Sequence, residues 1–458
     1  MLSQSLLVRV PFLLLMALLI SIIPDGTIVF WLGCACIGVL LLHSVLTLDG
    51  FLRLDIGFML GFLLIIGSEG IFAGGFIQAY VGEHQFSVAA RTLVCGALMF
   101  LAGHDLTFRF DRRPTFQIGL VQVRSAFRWV KIYMLGLACL FALVYVPYIL
   151  FGFTMGRGAG FAAVNSVFNA LFPLGIGALL GHLGMNGGLV FPSIIAYYFR
   201  FIRPVKHYVI ISSVCAFPLF VGLLASGTRS RLFLAAIGFA LCLMAGRKLN
   251  FGKQIKISVL GILVFAFAMI MSDARSSGWS NISPTRIFSN TEKYALFFNE
   301  NVVMTMTKLN DMGRIPENRI GHYTSFYAIF WIPRVFWHGK PVAIENEWWK
   351  IYEPEIRRSS RFAGSTSFAG PFFADFGPFG AVGILFILGL GFGKLDIFFY
   401  RRMVMPGDPL TPFAAVMFPA SVFFARQVGT IFFWSVYMFL LCYLLYFIVK
   451  KFGSRRRS

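Results

Sequence analysis

The chain has 458 residues, of which 58% are hydrophobic and only 13% are charged, and its mean hydropathy is +0.78. Soluble domains carry about 25% charged residues, so this composition excludes an ordinary water-soluble protein. A net charge of +21 would suggest nucleic-acid binding in a soluble chain. In a membrane protein Lys and Arg collect in cytoplasmic connections instead, and we expect no nucleic-acid partner.

Apolar runs recur along the whole chain, and several approach the ~20 residues that a membrane-spanning helix needs. They predict an all-α polytopic membrane protein of about 12 to 14 helices with both termini cytoplasmic. Counts of crossings from the two termini disagree by one between 132 and 207. Either one apolar piece there is re-entrant, for which the Gly-rich stretch GHLGMNGGLVFPS is the first candidate, or the helices of this region are miscounted. The predicted helices are 6–24, 27–47, 54–79, 86–103, 132–152, 165–184, 187–202, 208–226, 231–246, 256–272, 376–399, 411–426 and 430–449.

One stretch, 273–375, is long, mixed in charge and rich in aromatic residues. Long connections with such a composition are usually functional. The basic connections place this stretch outside the cytoplasm, where we expect it to fold as a small periplasmic cap. The predicted organisation is therefore a transmembrane helical bundle over 1–272, a cap over 273–375, and C-terminal transmembrane helices with a basic cytoplasmic tail over 376–458.

Two short segments carry cations where positive charge is disfavoured. Arg229 and Arg231 lie in ASGTRSRLFLAA, and Arg334 and Lys340 lie in WIPRVFWHGKP. Guanidinium groups match phosphate oxygens, and the small residues beside the first pair expose backbone N–H groups, so both segments predict anion binding. The alternative is that these side chains anchor the protein at the membrane interface.

Several carboxylates and one imidazole are candidates for proton transfer. His322, Glu347 and Asp375 lie in the long loop and are the candidate bases, although Asp375 is equally suited to cap a helix. Glu69 and Arg426 are charges inside apolar runs, which makes them functional candidates, with interfacial anchoring as the alternative for Arg426.

No metal, nucleotide or other cofactor is expected. The sequence has no Walker motif, no H-E-x-x-H and no D-x-D, and its seven cysteines all lie in apolar runs without zinc-ligand spacing. A periplasmic site has no nucleotide-activated donor, so the energy for synthesis would come from a lipid-linked donor. Arginines suit such a site because they neutralise the charge that develops on a departing lipid diphosphate.

The order of these motifs resembles the Wzy-type oligosaccharide repeat-unit polymerases, which make O-antigen and exopolysaccharide. The resemblance covers roughly 210–430 and rests on SGTRSRLFLAA, IPRVFWHGKP and FADFGPFGAVGILFILGLGFG. It implies a GT-C-like glycosyltransferase of the bacterial inner membrane. Such an enzyme transfers a growing glycan from undecaprenyl diphosphate to the next lipid-linked repeat unit at the periplasmic face. A chain-length regulator and a flippase are the implied partners.

The resemblance also assigns roles to individual residues. Arg229 and Arg231 match the family's G-x-R position, Arg334 and Lys340 match its P-R…K-P element, and Asp375 matches its D/N-F-G position. The four cations would then bind substrate diphosphate. The related O-antigen ligases often show R-x-x-x-L, whereas Phe233 follows Arg229 here. A ligase, a lipid-linked oligosaccharide flippase or transporter, and a scaffold protein remain the alternatives.

Overall fold

The computed structural model describes residues 2–47, 53–110, 120–155, 176–201, 229–245, 302–311, 365–404 and 407–454, most of 321–344, and scattered residues between 166 and 263. In these segments the regular secondary structure is helical, and the extended pairing is one isolated bridge between Ser367 and Gln427. The helices are α1 Leu2–Ser21, α2 Gly26–Thr47, α3 Leu54–Gly61, a π-helix Phe62–Gly67, α4 Ser68–Phe72, α5 Gly74–Val81, α6 Glu83–Phe110, α7 Leu120–Ser125, α8 Phe127–Met155, α9 Ile176–Gly187, α10 Phe191–Phe201, α11 Arg229–Met244, α12 Val302–Asp311, α13 His322–Ile329, α14 Gly370–Val404, α15 Thr411–Phe424 and α16 Val428–Gly453.

Within the described residues, six helical stretches are long and apolar enough to cross a membrane. They are Gly26–Val45, Leu54–Phe72, Glu83–Phe108, Phe127–Val146, Gly370–Met403 and Trp434–Gly453. The prediction of an all-α polytopic membrane protein is therefore confirmed. The larger number of spans stays a prediction, because most of 208–226 and 256–272 lies outside the described residues.

Two predicted helices differ in length from the observed ones. The helix predicted over 54–79 ends at Phe72, and Gly74 and Gly75 begin a separate helix, which agrees with the low helix propensity of glycine. The helix predicted over 86–103 continues to Phe110. Its last turns contain His104 and Asp105, which lie beyond the predicted end and are fully buried.

The Gly-rich stretch contains a break in helical structure. Helices α9 and α10 have 12 and 11 residues and are separated by a turn at 188–190. At Gly188 a Cβ atom would lie 2.8 Å from the Gly184 carbonyl oxygen, so a larger side chain does not fit the turn. Re-entry at this point remains a prediction.

The chain divides into two compact units. Unit 1 comprises Met1–Arg113, Thr291–Phe398 and Ser421–Phe432, and unit 2 comprises Pro114–Asn290, Phe399–Ala420 and Phe433–Ser458. The core of unit 1 is aromatic, and the ring of Phe58 lies 4.5 Å from that of Phe100 and 5.2 Å from that of Phe368, between centroids. Glycines let its helices approach closely, since a Cβ atom on Gly389 would lie 2.1 Å from the Phe100 carbonyl oxygen.

Polar contacts join the segments of unit 2. The Tyr197 hydroxyl donates to the Gly407 carbonyl over 2.9 Å, and Arg402 Nη1 lies 2.8 Å from Asp408 Oδ2. Burial raises the pKa of the Asp408 carboxyl above its usual value, and the Arg402 guanidinium opposes that rise. The Ser125 hydroxyl donates to the carbonyl of Gly453, near the end of α16, over 2.8 Å.

Candidate functional site

Asp375 holds the first turn of a neighbouring helix. It lies in the short helical segment that precedes Gly377, where a positive φ of 70° kinks α14. Asp375 Oδ1 accepts the Tyr323 N–H over 3.2 Å, and Asp375 Oδ2 accepts the Thr324 N–H over 2.7 Å. The N-cap of α13 is Gly321, which has no side chain to cap the helix. Asp375 therefore supplies the cap that α13 lacks, and it caps a different helix from its own.

His322 is the first residue of the turn that Asp375 holds. It is partly exposed, and its ring packs edge-on against Tyr323, with 5.1 Å between ring centroids. Tyr323 itself is fully buried and anchors the turn. Two of the three predicted base candidates, His322 and Asp375, are thus brought together by the fold. Glu347 lies outside the described residues.

Glu69 caps a second helix in the same way. Glu69 Oε2 accepts the Val302 N–H over 2.8 Å, and Glu69 Oε1 accepts the Met304 N–H over 3.1 Å, at the start of α12. A carboxylate at a helix N-terminus is favoured by the helix dipole as well as by the hydrogen bonds. Glu69, a charge that the sequence singled out, therefore joins α4 to α12. A chemical role for Glu69 stays a prediction.

Arg426 ties the turn between α15 and α16 to the segment that leads into α14. Arg426 Nε donates to the Ser365 hydroxyl over 2.9 Å. The neighbouring Phe368 N–H donates to the Ala425 carbonyl over 3.2 Å. Because 365–370 runs directly into the turn that carries Asp375, these contacts help to fix the position of that carboxylate.

The predicted diphosphate-binding cations are described to different extents. Lys340 is buried, and its Nζ donates to the carbonyls of Phe330 and Ile332 over 2.5 and 2.7 Å. Arg231 is a partly exposed residue of α11 and belongs to unit 2. The side chains of Arg229 and Arg334 lie outside what the structure describes, and their binding role stays a prediction.

A second polar centre in unit 1 was missed in the sequence. We call it the ionic cluster, and it consists of Arg9, Arg53, Asp55, His104, Asp105 and Asp396. All six residues are buried, with at most 5% of any of them exposed. The cluster lies at the opposite end of α14 from Asp375, since 21 residues separate 375 from 396, or roughly 30 Å along a helix.

Arg53 and Arg9 bind the carboxylates of the ionic cluster. Arg53 makes a two-pronged contact with Asp55, from Nε to Oδ1 over 2.9 Å and from Nη2 to Oδ2 over 2.6 Å. Arg9 lies in α1 and contacts residues of three other helices. Its Nη1 donates to the Ser44 hydroxyl over 2.7 Å, its Nη2 lies 3.5 Å from Asp55 Oδ2, and its Nε lies 2.6 Å from Asp105 Oδ2. These contacts connect α1, α2, α3 and α6.

His104 completes the ionic cluster. Its Nε2 lies 2.8 Å from Asp396 Oδ2, and its Nδ1 lies 3.4 Å from Asp105 Oδ1. Asp396 Oδ1 and Arg53 Nη1 are buried and have no hydrogen-bond partner in the described protein. The sequence signal was present, because charges beside apolar runs are candidates for intramembrane sites. It was missed because each charge also fits the flank of a cytoplasmic connection.

Comparisons with known proteins give no family for this chain. No protein-family model matches it, and neither the curated proteins nor the solved structures include a similar one. Its function is therefore proposed from its own residues, their geometry and the resemblance of its motifs.

Proposed function

We propose that this protein polymerises undecaprenyl-diphosphate-linked oligosaccharide repeat units at the periplasmic face of a bacterial inner membrane. A hydroxyl oxygen of the incoming unit attacks the anomeric carbon of the growing glycan, and the bond from that carbon to the diphosphate breaks. Undecaprenyl diphosphate leaves with the electron pair, and the proton of the attacking hydroxyl passes to a base on the protein. The observation that carries this proposal is the pairing of Asp375 with the turn that bears His322.

The contacts of Asp375 and His322 indicate different roles for the two residues. Each carboxylate oxygen of Asp375 already accepts a backbone N–H, so Asp375 acts as a positioning residue that holds α13 in place. The His322 ring is partly exposed and sits on the turn that Asp375 fixes. We therefore assign His322 as the general base. Glu347 remains the third candidate.

The cations would stabilise the departing diphosphate. Arg229, Arg231 and Arg334 have the guanidinium geometry that suits phosphate oxygens. Lys340 Nζ is bound to the carbonyls of Phe330 and Ile332, which makes it better suited to stabilise the backbone there than to meet substrate. Arg426 supports the site indirectly through Ser365. Neutralisation by arginine requires no metal or nucleotide, and a chain-length regulator and a flippase are the proposed partners.

A lipid-linked oligosaccharide flippase or transporter is the second candidate, because buried charges inside membrane helices are typical of transport pathways. The ionic cluster is the observation that favours it. Transporter sites usually lie near the bilayer midplane. Asp55 is the second residue of the span Leu54–Phe72, and His104 is only four residues from the end of Glu83–Phe108. This placement favours the polymerase.

A reaction with purified components tests the proposal. The full chain in detergent is mixed with a panel of undecaprenyl-diphosphate-linked repeat units and EDTA, without nucleotide sugar, and products are separated on a gel. We expect a ladder of repeat multiples. Absence of a ladder with the intact cognate unit, together with transfer to lipid A core, would establish a ligase. Movement of the unit across a liposome membrane without any product would establish a flippase.

Variants then test the assigned residues. His322→Ala should slow polymerisation by about 100-fold or more, the range expected for loss of a general base. The exposed His84, at the start of α6, gives a matched control in His84→Ala, which should keep normal activity. Arg334→Ala should abolish long chains while the protein stays folded in the membrane. Chains of normal length from Arg334→Ala would refute the role of that loop.

A further inference from the structure

The ionic cluster has an unequal number of permanent charges. The carboxylates of Asp55, Asp105 and Asp396 face the guanidinium groups of Arg9 and Arg53, which leaves one negative charge without a cation if the His104 ring is neutral. An uncompensated charge in a buried site is costly. One additional positive charge would balance the site.

The contacts of His104 indicate where that charge resides. Its Nε2 faces Asp396 Oδ2 at 2.8 Å, and its Nδ1 faces Asp105 Oδ1 at 3.4 Å, with Asp55 Oδ2 at 4.0 Å. A neutral imidazole has one N–H, so one of its nitrogens would present a lone pair to a carboxylate oxygen. Only the doubly protonated ring donates toward carboxylates on both sides.

We propose that the ionic cluster is a proton-binding site that holds one dissociable proton as the His104 imidazolium. The charged groups of the cluster around His104 come from four helices. They are Arg9 of α1, Arg53 and Asp55 at the start of α3, Asp105 of α6 itself and Asp396 of α14. With the proton bound, three cations balance three carboxylates.

One carboxylate oxygen beside His104 has no partner in the described protein. Asp396 Oδ1 is buried without a hydrogen-bond partner in the described protein, so the carboxylate that binds His104 has a second oxygen free to accept. His104 lies four residues before Phe108, the end of its span, which corresponds to about 6 Å along a helix. The proton-binding group therefore lies near one end of the apolar span rather than at its centre.

A divalent metal ion fits this cluster less well. Ligand atoms of Asp55, His104 and Asp396 all lie within 4.8 Å of one another, a spacing that a metal ion could use. Two of these carboxylates already face Arg53, whose Nη2 lies 2.6 Å from Asp55 Oδ2 and whose Nε lies 3.9 Å from Asp396 Oδ2. A doubly charged ion would leave an excess positive charge beside two guanidinium groups, whereas a proton leaves none.

Nitrogen NMR of the histidine side chains tests the proposal directly. The full chain, with ¹⁵N-labelled histidine in detergent, is measured at pH 8, where an exposed imidazole with a pKa of about 6.5 is neutral. We expect one of the seven histidines to be doubly protonated, and its signal to be missing from His104→Gln. His84→Gln is the matched control and should keep that signal. A neutral His104 ring at pH 8 would overturn the proposal, and so would one tightly bound zinc ion per chain that His104→Gln loses.

A second variant keeps the histidine and changes the charge balance. Asp396→Asn leaves two carboxylates against two guanidinium groups, so the cluster balances without a proton. We expect His104 to become neutral at pH 8 in this variant. A ring that stays doubly protonated would contradict the charge-balance argument. Neither measurement needs a substrate, so the outcome is independent of the proposed glycosyl transfer.

Discussion

The two ends of unit 1 satisfy their carboxylates by different means. In the ionic cluster, Asp55 and Asp396 meet the side-chain cations of Arg53 and His104. At the other end, Glu69 and Asp375 accept backbone N–H groups at the first turns of α12 and α13. The first arrangement joins several long helices, and the second attaches two short helices to the membrane-spanning part.

The difference predicts different responses to mutation. A buried ion pair that loses one partner leaves an uncompensated charge, which is expensive even when the intact pair adds little net stability. A capping carboxylate that becomes an amide keeps an oxygen that accepts hydrogen bonds. Changes in the ionic cluster should therefore affect the whole of unit 1, and changes at the caps should be local.

The largest effect is expected from Arg53→Met. Loss of this guanidinium should lower the free energy of unfolding by about 3–5 kcal/mol, as for other broken buried ion pairs. Unfolding of the purified protein in detergent, followed by tryptophan fluorescence, measures the change. The double variant Arg53→Met/Asp55→Asn should recover most of it, because it removes a charge of each sign. If Arg53→Met were as stable as the wild type, the ion pairs of Arg53 would not contribute to the stability of the folded protein.

A smaller effect is expected midway between the two ends, where α14 packs against α6. In Gly389→Ala the new Cβ would lie 2.1 Å from the Phe100 carbonyl oxygen, so the helices must separate. We expect a loss of about 1–3 kcal/mol, the usual range for overpacking. Gly383 lies on the same helix with open space around it, so Gly383→Ala is the matched control and should not destabilise the protein. Equal stability of the two variants would contradict the close approach.

Glu69→Gln should act locally. It weakens the cap of α12 by about 0.5–2 kcal/mol, the range for loss of a good N-cap. Hydrogen exchange of 302–311 should become faster, while exchange in α6 and the global unfolding transition change little. Faster exchange throughout unit 1 would contradict this prediction, because it would mean that α12 contributes to the stability of the whole unit.

The smallest change in stability is expected from Asp375→Asn, because the amide oxygen can still accept one of the two N–H groups. We expect a loss of roughly 1 kcal/mol or less, with faster exchange confined to 322–329. The proposed activity should fall by more than this small change in stability suggests, because the turn that bears His322 is held by fewer hydrogen bonds. If Asp375→Asn polymerised normally although exchange in α13 became faster, the Asp375 cap would not be needed for catalysis.

Part of the fold could be predicted from the apolar pattern. The lengths of the apolar runs predicted a polytopic membrane protein, because a long apolar run has few alternatives to a spanning helix. They also predicted the bounds of helices such as α2 and α16 to within a few residues. Helix α6 continues to Phe110, seven residues beyond the predicted end, because the polar residues His104 and Asp105 end the apolar run but not the helix. Their partners are remote in the chain, and local patterning does not record them.

The candidate site shows the same division. The sequence identified His322 and Asp375 as polar residues in an apolar chain and left open whether Asp375 caps a helix. Only the tertiary structure showed that Asp375 caps the turn bearing His322, across 52 residues between Asp375 and Tyr323. Likewise, 292 residues separate His104 from Asp396. The sequence by itself determined which segments are apolar enough to span a membrane, because that depends on local composition. Only the tertiary structure decided which charges neutralise one another, because that depends on which helix ends lie side by side.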